Sequence, residues 1–334
     1  MLHRSIGILL LLVSFTAAWV WMAYRDYVQT PLNLPESGVT YLVAPGASAA
    51  AVANDLAQRG WLTHPDWFRW YARWHDQAQR IRAGEYRLNP GITPPGLLAI
   101  LVSGQTVDHS LTLVEGWNFR QVRAALDGHD ALEHTLRDLS DAEVMAKLGR
   151  PEEHPEGRFF PDTYLFPRGT SDLEFLRRAY DRMADELQAA WEQRSAELPL
   201  TDPYQALILA SVVEKETAVP EERPAIAGVF VRRLQRGMKL QTDPTVIYGM
   251  GERYDGNIRR SDLQEDTPYN TYVHTGLPPT PICMPGRAAL LAAVQPAPGK
   301  SLYFVARGDG SHAFSDTLEL HNAAVRRYQL GGKR

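Results

Sequence analysis

The stretch "LASVVEKETAVPEERPAIAGVF", residues 209–230, joins an apolar segment directly to Glu214, Lys215 and Glu216. Together with the preceding "DPYQALI", residues 202–208, the apolar part is hydrophobic on nearly every face, which predicts a helix buried in a domain core. A carboxylate close to such a core is costly unless it is paired or neutral. The stretch therefore predicts a core helix that ends in carboxylates whose presence needs a chemical reason.

The two glutamates at the end of this helix point in different directions. At about 100° per residue they are separated by about 200°, so both cannot face one cleft while the helix continues. Glu216 continues the apolar stripe of Leu209, Val212 and Val213, and Glu214 continues a second apolar stripe. The geometry favours Glu216 only mildly as the functional carboxylate, and a solvated helix end is the alternative for either residue.

Two loops downstream of this helix combine uncharged polar and aromatic residues with glycine and proline. They are "GMKLQTDPTVIYGMG", residues 237–251, and "DTPYNTYVHTGLPPTPICMPG", residues 266–286. Such side chains suit a neutral polyhydroxylated ligand such as a sugar chain, and we expect them to line a cleft. Asp243 either stabilises positive charge there or caps a turn before Pro244. The candidate binding residues are Gln241, Asp243, Tyr248, Asn270 and Tyr272.

The N-terminal segment from residue 5 to residue 24 contains twenty residues without a charge. This is about the length that crosses a bilayer as a helix, and Trp19, Trp21 and Tyr24 cluster at its C-terminal end as in an interfacial belt. No small-residue cleavage site follows, so an uncleaved anchor is favoured over a signal peptide or a buried soluble helix. Residues 1–4 are then a short cytoplasmic head, and the rest of the chain is translocated.

Residues 39–115, which follow a linker over 25–38, contain an internal repeat. Similar segments begin at Tyr41, Tyr86 and Leu111, and each predicts a short strand, a turn at glycine and an amphipathic helix. A further helix is predicted between the first two copies. The order strand, helix, helix, strand resembles a LysM-like glycan-binding module.

The helix between the first two copies, "HPDWFRWYARWHD", has aromatic residues at helical spacing. They are Trp67, Trp70, Tyr71 and Trp74. We interpret this stripe as the core of the small domain, with an aromatic sugar platform as the alternative.

Composition and motif searches exclude several classes of protein. A net charge of −4 provides no footprint for nucleic acid, and a single cysteine, Cys283, excludes an internal disulfide or a thiolate-rich zinc site. The ten histidines show no metal-binding spacing, and HExxH, GxSxG and P-loop motifs do not occur. "GMGERYDG" has Tyr254 where a dinucleotide fingerprint needs its third glycine. We therefore expect neither a metal nor a cofactor.

The motif residues closely resemble the endolytic murein transglycosylases, the YceG-like family. The resemblance rests on "ASVVEKETAVPEERPAIAGVFVRRLQRGMKLQTDPTVIYGMG", residues 210–251, together with "YNTY", "TGLPP" and "EGRFFPDTYLF". It implies an α+β fold with an inner-membrane helix, a LysM-like periplasmic domain, and a helical connector with a catalytic domain over residues 116–334. It places the catalytic role on Glu216, the second glutamate of the E-K-E motif, with Glu214 as a candidate contributor to the substrate site.

The resemblance also implies a mechanism and partners. In a lytic transglycosylase the C6 hydroxyl of muramic acid attacks its own anomeric carbon, so one carboxyl can act first as acid and then as base. The products are 1,6-anhydro ends, and a terminase that limits nascent strand length is the expected role. Expected partners are peptidoglycan strands, the cytoplasmic membrane and peptidoglycan synthases. The alternatives are a non-catalytic, membrane-tethered peptidoglycan-binding scaffold and a hydrolase, which would leave reducing ends.

Overall fold

The computed structural model describes residues 2–330 and divides into two compact units. Unit 1 runs up to His109 and includes residues 165–169, and unit 2 comprises residues 110–164 and the chain from Thr170 onward. Residue 1 of the predicted cytoplasmic head and residues 331–334 of the predicted catalytic domain lie outside the described range. The mixed α+β architecture with an N-terminal apolar helix confirms the predicted fold class at this level.

Unit 1 contains the predicted order of strand, two helices and strand. Strands β1 and β2 are antiparallel, with Tyr41 opposite Tyr86. Ser48 accepts a hydrogen bond from the N–H of Ala51 at the start of one helix, and Thr93 caps another in the same way. The first two repeat copies therefore fold as predicted, because these hydroxyls satisfy backbone donors that a helix leaves free. The elements are α1 (Leu2–Gln29), β1 (Val39–Val43), α2 (Ala49–Gln58), α3 (Pro65–Trp74), β2 (Gly84–Leu88) and α4 (Pro94–Ser103).

Helix α1 contains the predicted membrane segment. Within residues 2–330, the stretch Ile6–Gln29 is the one helix long and apolar enough to cross a bilayer. The helix extends past the predicted end at Tyr24, because no helix-breaking residue occurs before Pro31. Its last turn carries Tyr27 into the hydrophobic core of unit 1.

The aromatic stripe on α3 is only partly a core. Phe68 and Ala72 are fully buried and supply the core face of the helix. By contrast, Trp70 is 53% exposed and Trp74 is 72% exposed. The interpretation of the stripe as domain core is therefore wrong for Trp70 and Trp74. Phe68 and Ala72, which are four residues apart on α3, already occupy the face that packs inward.

Unit 2 is predominantly helical with short two-stranded sheets. Strands β4 and β6 are parallel, and β7 and β8 are antiparallel. Strands β3 (Asp108–Thr112) and β5 (Thr163–Pro167) lie where the chain passes between the units. The other elements are α5 (Phe119–Asp127), β4 (Leu132–Glu133), α6 (Asp141–Lys147), β6 (Thr170–Ser171), α7 (Asp172–Glu192), α8 (Pro203–Glu216), α9 (Arg223–Gln235), α10 (Asp243–Met250), α11 (Arg287–Val294), β7 (Tyr303–Ala306), β8 (His312–Ser315) and α12 (Leu318–Val325).

Helix α8 is the central helix of unit 2, as its sequence predicts. Residues 206–213 are all buried, in a core shared with α7, α9 and α11. Asp202 caps its start by accepting a hydrogen bond from the N–H of Gln205. The helix ends at Glu216 because Thr217 adopts an extended backbone and Pro220 follows. A fully apolar helix therefore presents a carboxylate at its terminus.

Candidate active site

Glu216 lies at the C-terminal end of α8, where burial alters its chemistry. Its Oε2 accepts a hydrogen bond from Oγ1 of Thr242 at 2.7 Å. Burial, and after it the charge of Asp243, raise the pKa of Glu216. The Thr242 hydrogen bond, the guanidinium of Arg233 and the cationic form of His312 oppose this shift. The carboxyl group therefore retains its proton to a higher pH than an exposed glutamate does, as a general acid requires.

Glu214, two residues earlier on α8, is held by other parts of the protein. Its Oε1 accepts a hydrogen bond from Nη2 of Arg223 at 2.9 Å, and its Oε2 accepts one from the N–H of Gly286 at 3.0 Å. The side chains of this ion pair are 6% and 10% exposed. Both oxygens of Glu214 thus tie α8 to neighbouring segments, and its contribution to the substrate site stays a prediction.

The loop that carries Thr242 is joined to the second polar loop by threonine hydroxyls. The N–H of Thr242 donates to Oγ1 of Thr271 at 3.1 Å, and the N–H of Gln241 donates to the carbonyl of Thr271 at 3.1 Å. Oγ1 of Thr245 donates to the carbonyl of Thr242 at 2.8 Å. Gln241 has a positive φ of 51°, an uncommon conformation that this network holds in place. The two loops are thereby fixed beside the end of α8.

Three of the predicted binding residues lie near Glu216: Gln241 and Tyr272 on the two loops, and Asp243 at the start of α10. The expectation of a loop over residues 237–251 is therefore wrong from Asp243 onward, where the chain is helical. The hydroxyl of Tyr272 donates a hydrogen bond to Oδ1 of Asp243 at 2.6 Å. Oε1 of Gln241 accepts a hydrogen bond from Nη1 of Arg233 at 3.4 Å, and this arginine also donates to backbone carbonyls. Asp243 and Gln241 are exposed, so their remaining polar atoms are available to a ligand.

Asn270 has a different position from the one expected. It is 1% exposed, so the expectation that it lines the cleft is wrong. Its Nδ2 donates to the carbonyls of Asp262 and Glu265 at 3.1 and 2.8 Å, and its Oδ1 accepts from the N–H of Tyr272 at 2.9 Å. Because this loop has no regular ladder, the side-chain amide satisfies the backbone groups instead. Asn270 therefore supports the backbone at Tyr272.

Tyr248 lines a separate cleft of about 800 Å³ in unit 2. Lys215 on α8 lines this cleft, whereas the next residue, Glu216, does not. The Tyr248 ring meets that of Tyr269 edge to face, with centroids 4.8 Å apart. The cleft combines aromatic and polar side chains, and its other lining residues include Asn118, Arg120, Gln121, Asp141, His154, Glu156, Glu252 and Tyr254.

Glu156 is a buried carboxyl group in this cleft that the sequence reasoning missed. It accepts hydrogen bonds from the N–H of Phe119 at 3.1 Å and from the hydroxyl of Tyr248 at 2.9 Å. Burial raises its pKa to about 7, although both hydrogen bonds favour the charged form. The available signal was its place just before the aromatic segment "RFFPDTYLF", whose rings bury what lies beside them.

His312 on β8 is a second residue that the sequence reasoning missed. Its Nδ1 lies 2.7 Å from Oε2 of Glu222, and its backbone N–H donates to Oε1 of the same glutamate at 2.9 Å. The cationic form of its imidazole lowers the pKa of Glu216. No local pattern indicates this placement, because His312 is far from α8 in the sequence. Among the side chains that the structure describes, from residue 6 to residue 330, no group of three or more metal-ligating residues forms a metal site.

Most of the chain resembles one family of proteins. A sequence model of the YceG-like family matches residues 41–327, so the chain belongs to the YceG-like family. A relative named endolytic murein transglycosylase, from Bacillus subtilis (strain 168), is 30% identical over 303 residues, covering 86% of this chain and 83% of the relative.

Two further comparisons agree with this assignment. A protein of the same name from Streptococcus pneumoniae (strain D39) is 26% identical over 355 residues, covering 95% of this chain, which spans 63% of that longer protein. A crystal structure of a protein described as YceG-like, from Listeria monocytogenes, has a TM-score of 0.54 and 28% identity. It covers 86% of this chain and 99% of its own.

Proposed function

We propose that this protein is an endolytic lytic transglycosylase that cleaves the MurNAc–GlcNAc bond within peptidoglycan strands. The observation that carries this proposal is the position of Glu216, at the end of an apolar buried helix, with a raised pKa and a hydrogen bond from Thr242. Membership of the YceG-like family and relatives named for this activity support it.

In the proposed reaction Glu216 acts twice. The protonated carboxyl group donates its proton to the glycosidic oxygen as the bond between that oxygen and the anomeric carbon breaks. The resulting carboxylate then accepts the proton of the C6 hydroxyl of the same muramic residue, whose oxygen bonds to the anomeric carbon. No water is consumed, and the strand ends in 1,6-anhydro-MurNAc. A single carboxyl group is sufficient because the second one of a hydrolytic glycosidase activates water or forms a covalent intermediate.

The polar groups around Glu216 are suited to the charge that develops in this reaction. The transition state has oxocarbenium character, which a nearby carboxylate stabilises. Asp243 is exposed and held by Tyr272, so we assign it this role, and Gln241 and Tyr272 contribute hydrogen bonds to the sugars. Asn270 and Glu214 act through the backbone and through Arg223, which makes them supporting residues in this proposal.

The cleft lined by Tyr248 provides further sugar subsites in this proposal. Aromatic rings bind the apolar faces of sugars, and the rings of Tyr248 and Tyr269 are held at a fixed angle to each other. The polar residues around them can bond to hydroxyl and amide groups. A glycan strand that occupied both the cleft and the region of Glu216 would be cleaved internally.

The proposal also includes the location and accessory parts of the protein. Helix α1 spans the cytoplasmic inner membrane as a single pass, residues 1–4 are cytoplasmic, and the rest of the chain lies in the periplasm. Residues 39–115 act as a LysM-like module with glycan affinity but no chemistry, after a linker over 25–38. Cleavage near peptidoglycan synthases would then limit the length of nascent strands.

The activity is tested with the full chain in detergent and purified glycan strands, by mass analysis of the products. Glu216→Gln should lower the rate about 10²- to 10⁴-fold, the usual contribution of general acid–base catalysis. Glu221→Gln is the matched control, since this exposed glutamate lies five residues further along the chain. Reducing ends from the native protein would instead indicate a hydrolase. Strand binding without any cleavage would indicate the scaffold.

A further inference from the structure

Unit 1 carries an aromatic surface that is partly packed against its core, at Trp67 and Tyr71, and partly exposed. It comprises Trp67, Trp70, Tyr71 and Trp74 on α3 with Trp21 and Tyr24 on α1, and we call it the aromatic patch. Trp21, Trp70 and Trp74 are 61%, 53% and 72% exposed. Between the two helices lies a groove of about 840 Å³. Exposed apolar surface of this kind marks a site of interaction.

The aromatic patch is continuous with the membrane-spanning part of α1. The ring of Tyr24 stacks on that of Trp67 with centroids 6.4 Å apart, and it meets the ring of Trp70 edge-on at 6.4 Å. The ring of Trp70 lies 5.0 Å from that of Trp74. The patch therefore begins on α1 and extends sideways along α3.

The length of α1 places this patch at the edge of a bilayer. At a rise of 1.5 Å per residue, the nineteen residues from Ile6 to Tyr24 span about 28 Å, close to the ~30 Å of a hydrocarbon core. If Ile6 lies at one boundary of that core, Tyr24 lies at the other. Trp67 and Trp70, which contact Tyr24, are then at the level of the lipid headgroups.

The side chains of the aromatic patch suit the headgroup region of a membrane better than they suit a sugar-binding site. Tryptophan and tyrosine concentrate at membrane interfaces because one end of each side chain is apolar and the other is polar. A sugar site needs polar groups that bind the hydroxyls. Apart from its tryptophans and tyrosines, the groove is lined by only two charged or titratable residues, Asp66 and His75. Asp66 is already paired with Arg69. The exposed Arg73 lies beside Trp74, where it can reach anionic headgroups.

We propose that the aromatic patch inserts into the interfacial region of the bilayer that α1 crosses, so that α3 holds unit 1 against the membrane surface. The inference rests on the proposed role of α1 as the membrane anchor. Its partner is the phospholipid surface itself.

The test uses the full chain in lipid nanodiscs, labelled with 5-fluorotryptophan and observed by fluorine NMR. Single Trp→Phe variants assign each resonance. Lipids with a nitroxide at the headgroup then broaden the signals of nearby tryptophans, and reduction of the nitroxide by ascorbate provides the matched diamagnetic control. Trp70 and Trp74 should lose as large a fraction of their intensity as Trp21.

The possible results separate this inference from the anchor on which it rests. If Trp21 is broadened while Trp70 and Trp74 keep their intensity, the anchor stands and the membrane contact of α3 is refuted. If Trp21 also keeps its intensity, the anchor fails and the inference fails with it. Sacculus binding by a Trp70→Ser, Trp74→Ser variant supplies a second measurement. Unchanged binding is expected, and a large loss would favour a sugar platform instead.

Discussion

The proton on Glu156 should make the stability of unit 2 depend on pH. Its carboxyl group is 3% exposed, and burial raises its pKa from 4.5 to about 7. The folded protein therefore holds this proton more tightly than the unfolded chain does. This contribution to stability is fully present below about pH 4.5 and is lost as the pH rises through about 7.

The size of the effect follows from the pKa shift. The difference between a pKa of 4.5 and one of about 7 corresponds to about 3.4 kcal/mol over the whole pH range. Between about pH 5 and pH 8, the linkage relation gives a loss of roughly 2.5 kcal/mol in the free energy of unfolding. Glu156→Gln removes the titrating group. Its free energy of unfolding should therefore fall less than that of the native protein over this interval, by roughly this amount.

The measurement is urea unfolding of the full chain in detergent at both pH values, followed by tryptophan fluorescence. The quantity compared is the change in the free energy of unfolding between the two pH values. Subtracting the change in the native protein from that in the variant cancels the other titrating groups and the pH-independent cost of altered hydrogen bonds to Phe119 and Tyr248. Glu252→Gln is the control, because this glutamate lines the same cleft with a side chain that is 85% exposed. An equal pH dependence in the native protein and in Glu156→Gln would refute the reasoning.

Three further predictions concern the residues around α8. Thr242→Val removes the hydrogen bond that opposes the raised pKa of Glu216, so the alkaline limb of the pH profile of kcat/KM for strand cleavage should move to higher pH. An unchanged limb would show that Thr242 does not influence the pKa of Glu216. Glu214→Ala removes the nearer partner of the buried Arg223, which keeps only the half-exposed Glu115 at 3.8 Å. Urea unfolding should show a loss of about 3–5 kcal/mol, whereas a loss below 1 kcal/mol would show that the pair matters little. Asn270→Ala should cost about 1–3 kcal/mol, because it leaves three half-buried backbone groups without their partners, while Asn257→Ala at an exposed position should be neutral. Equal stability of the two asparagine variants would contradict the buried role.

Local sequence patterns predicted the elements that position the site. The apolar run before Glu214 predicted a buried helix, and the similar segments that begin at Tyr41 and Tyr86 predicted the repeated strand and helix of unit 1. The pattern on α3 was less informative, because aromatic spacing reveals that side chains share a face but not which face packs inward. Phe68 took the inward position, and Trp74 was left exposed.

The sequence by itself determined the family, the apolar N-terminal helix, and the helix that ends in Glu216, because each depends on residues that are neighbours in the chain. Only the tertiary structure decided which side chains surround that glutamate. Thr242 donates a hydrogen bond to it and His312 acts on it electrostatically, both from distant segments. Asn270 lies in a loop of polar and aromatic residues and is turned inward to satisfy backbone groups. The burial of Glu156 is likewise a property of packing, since desolvation depends on every segment that covers a group and not on the residues beside it in the chain.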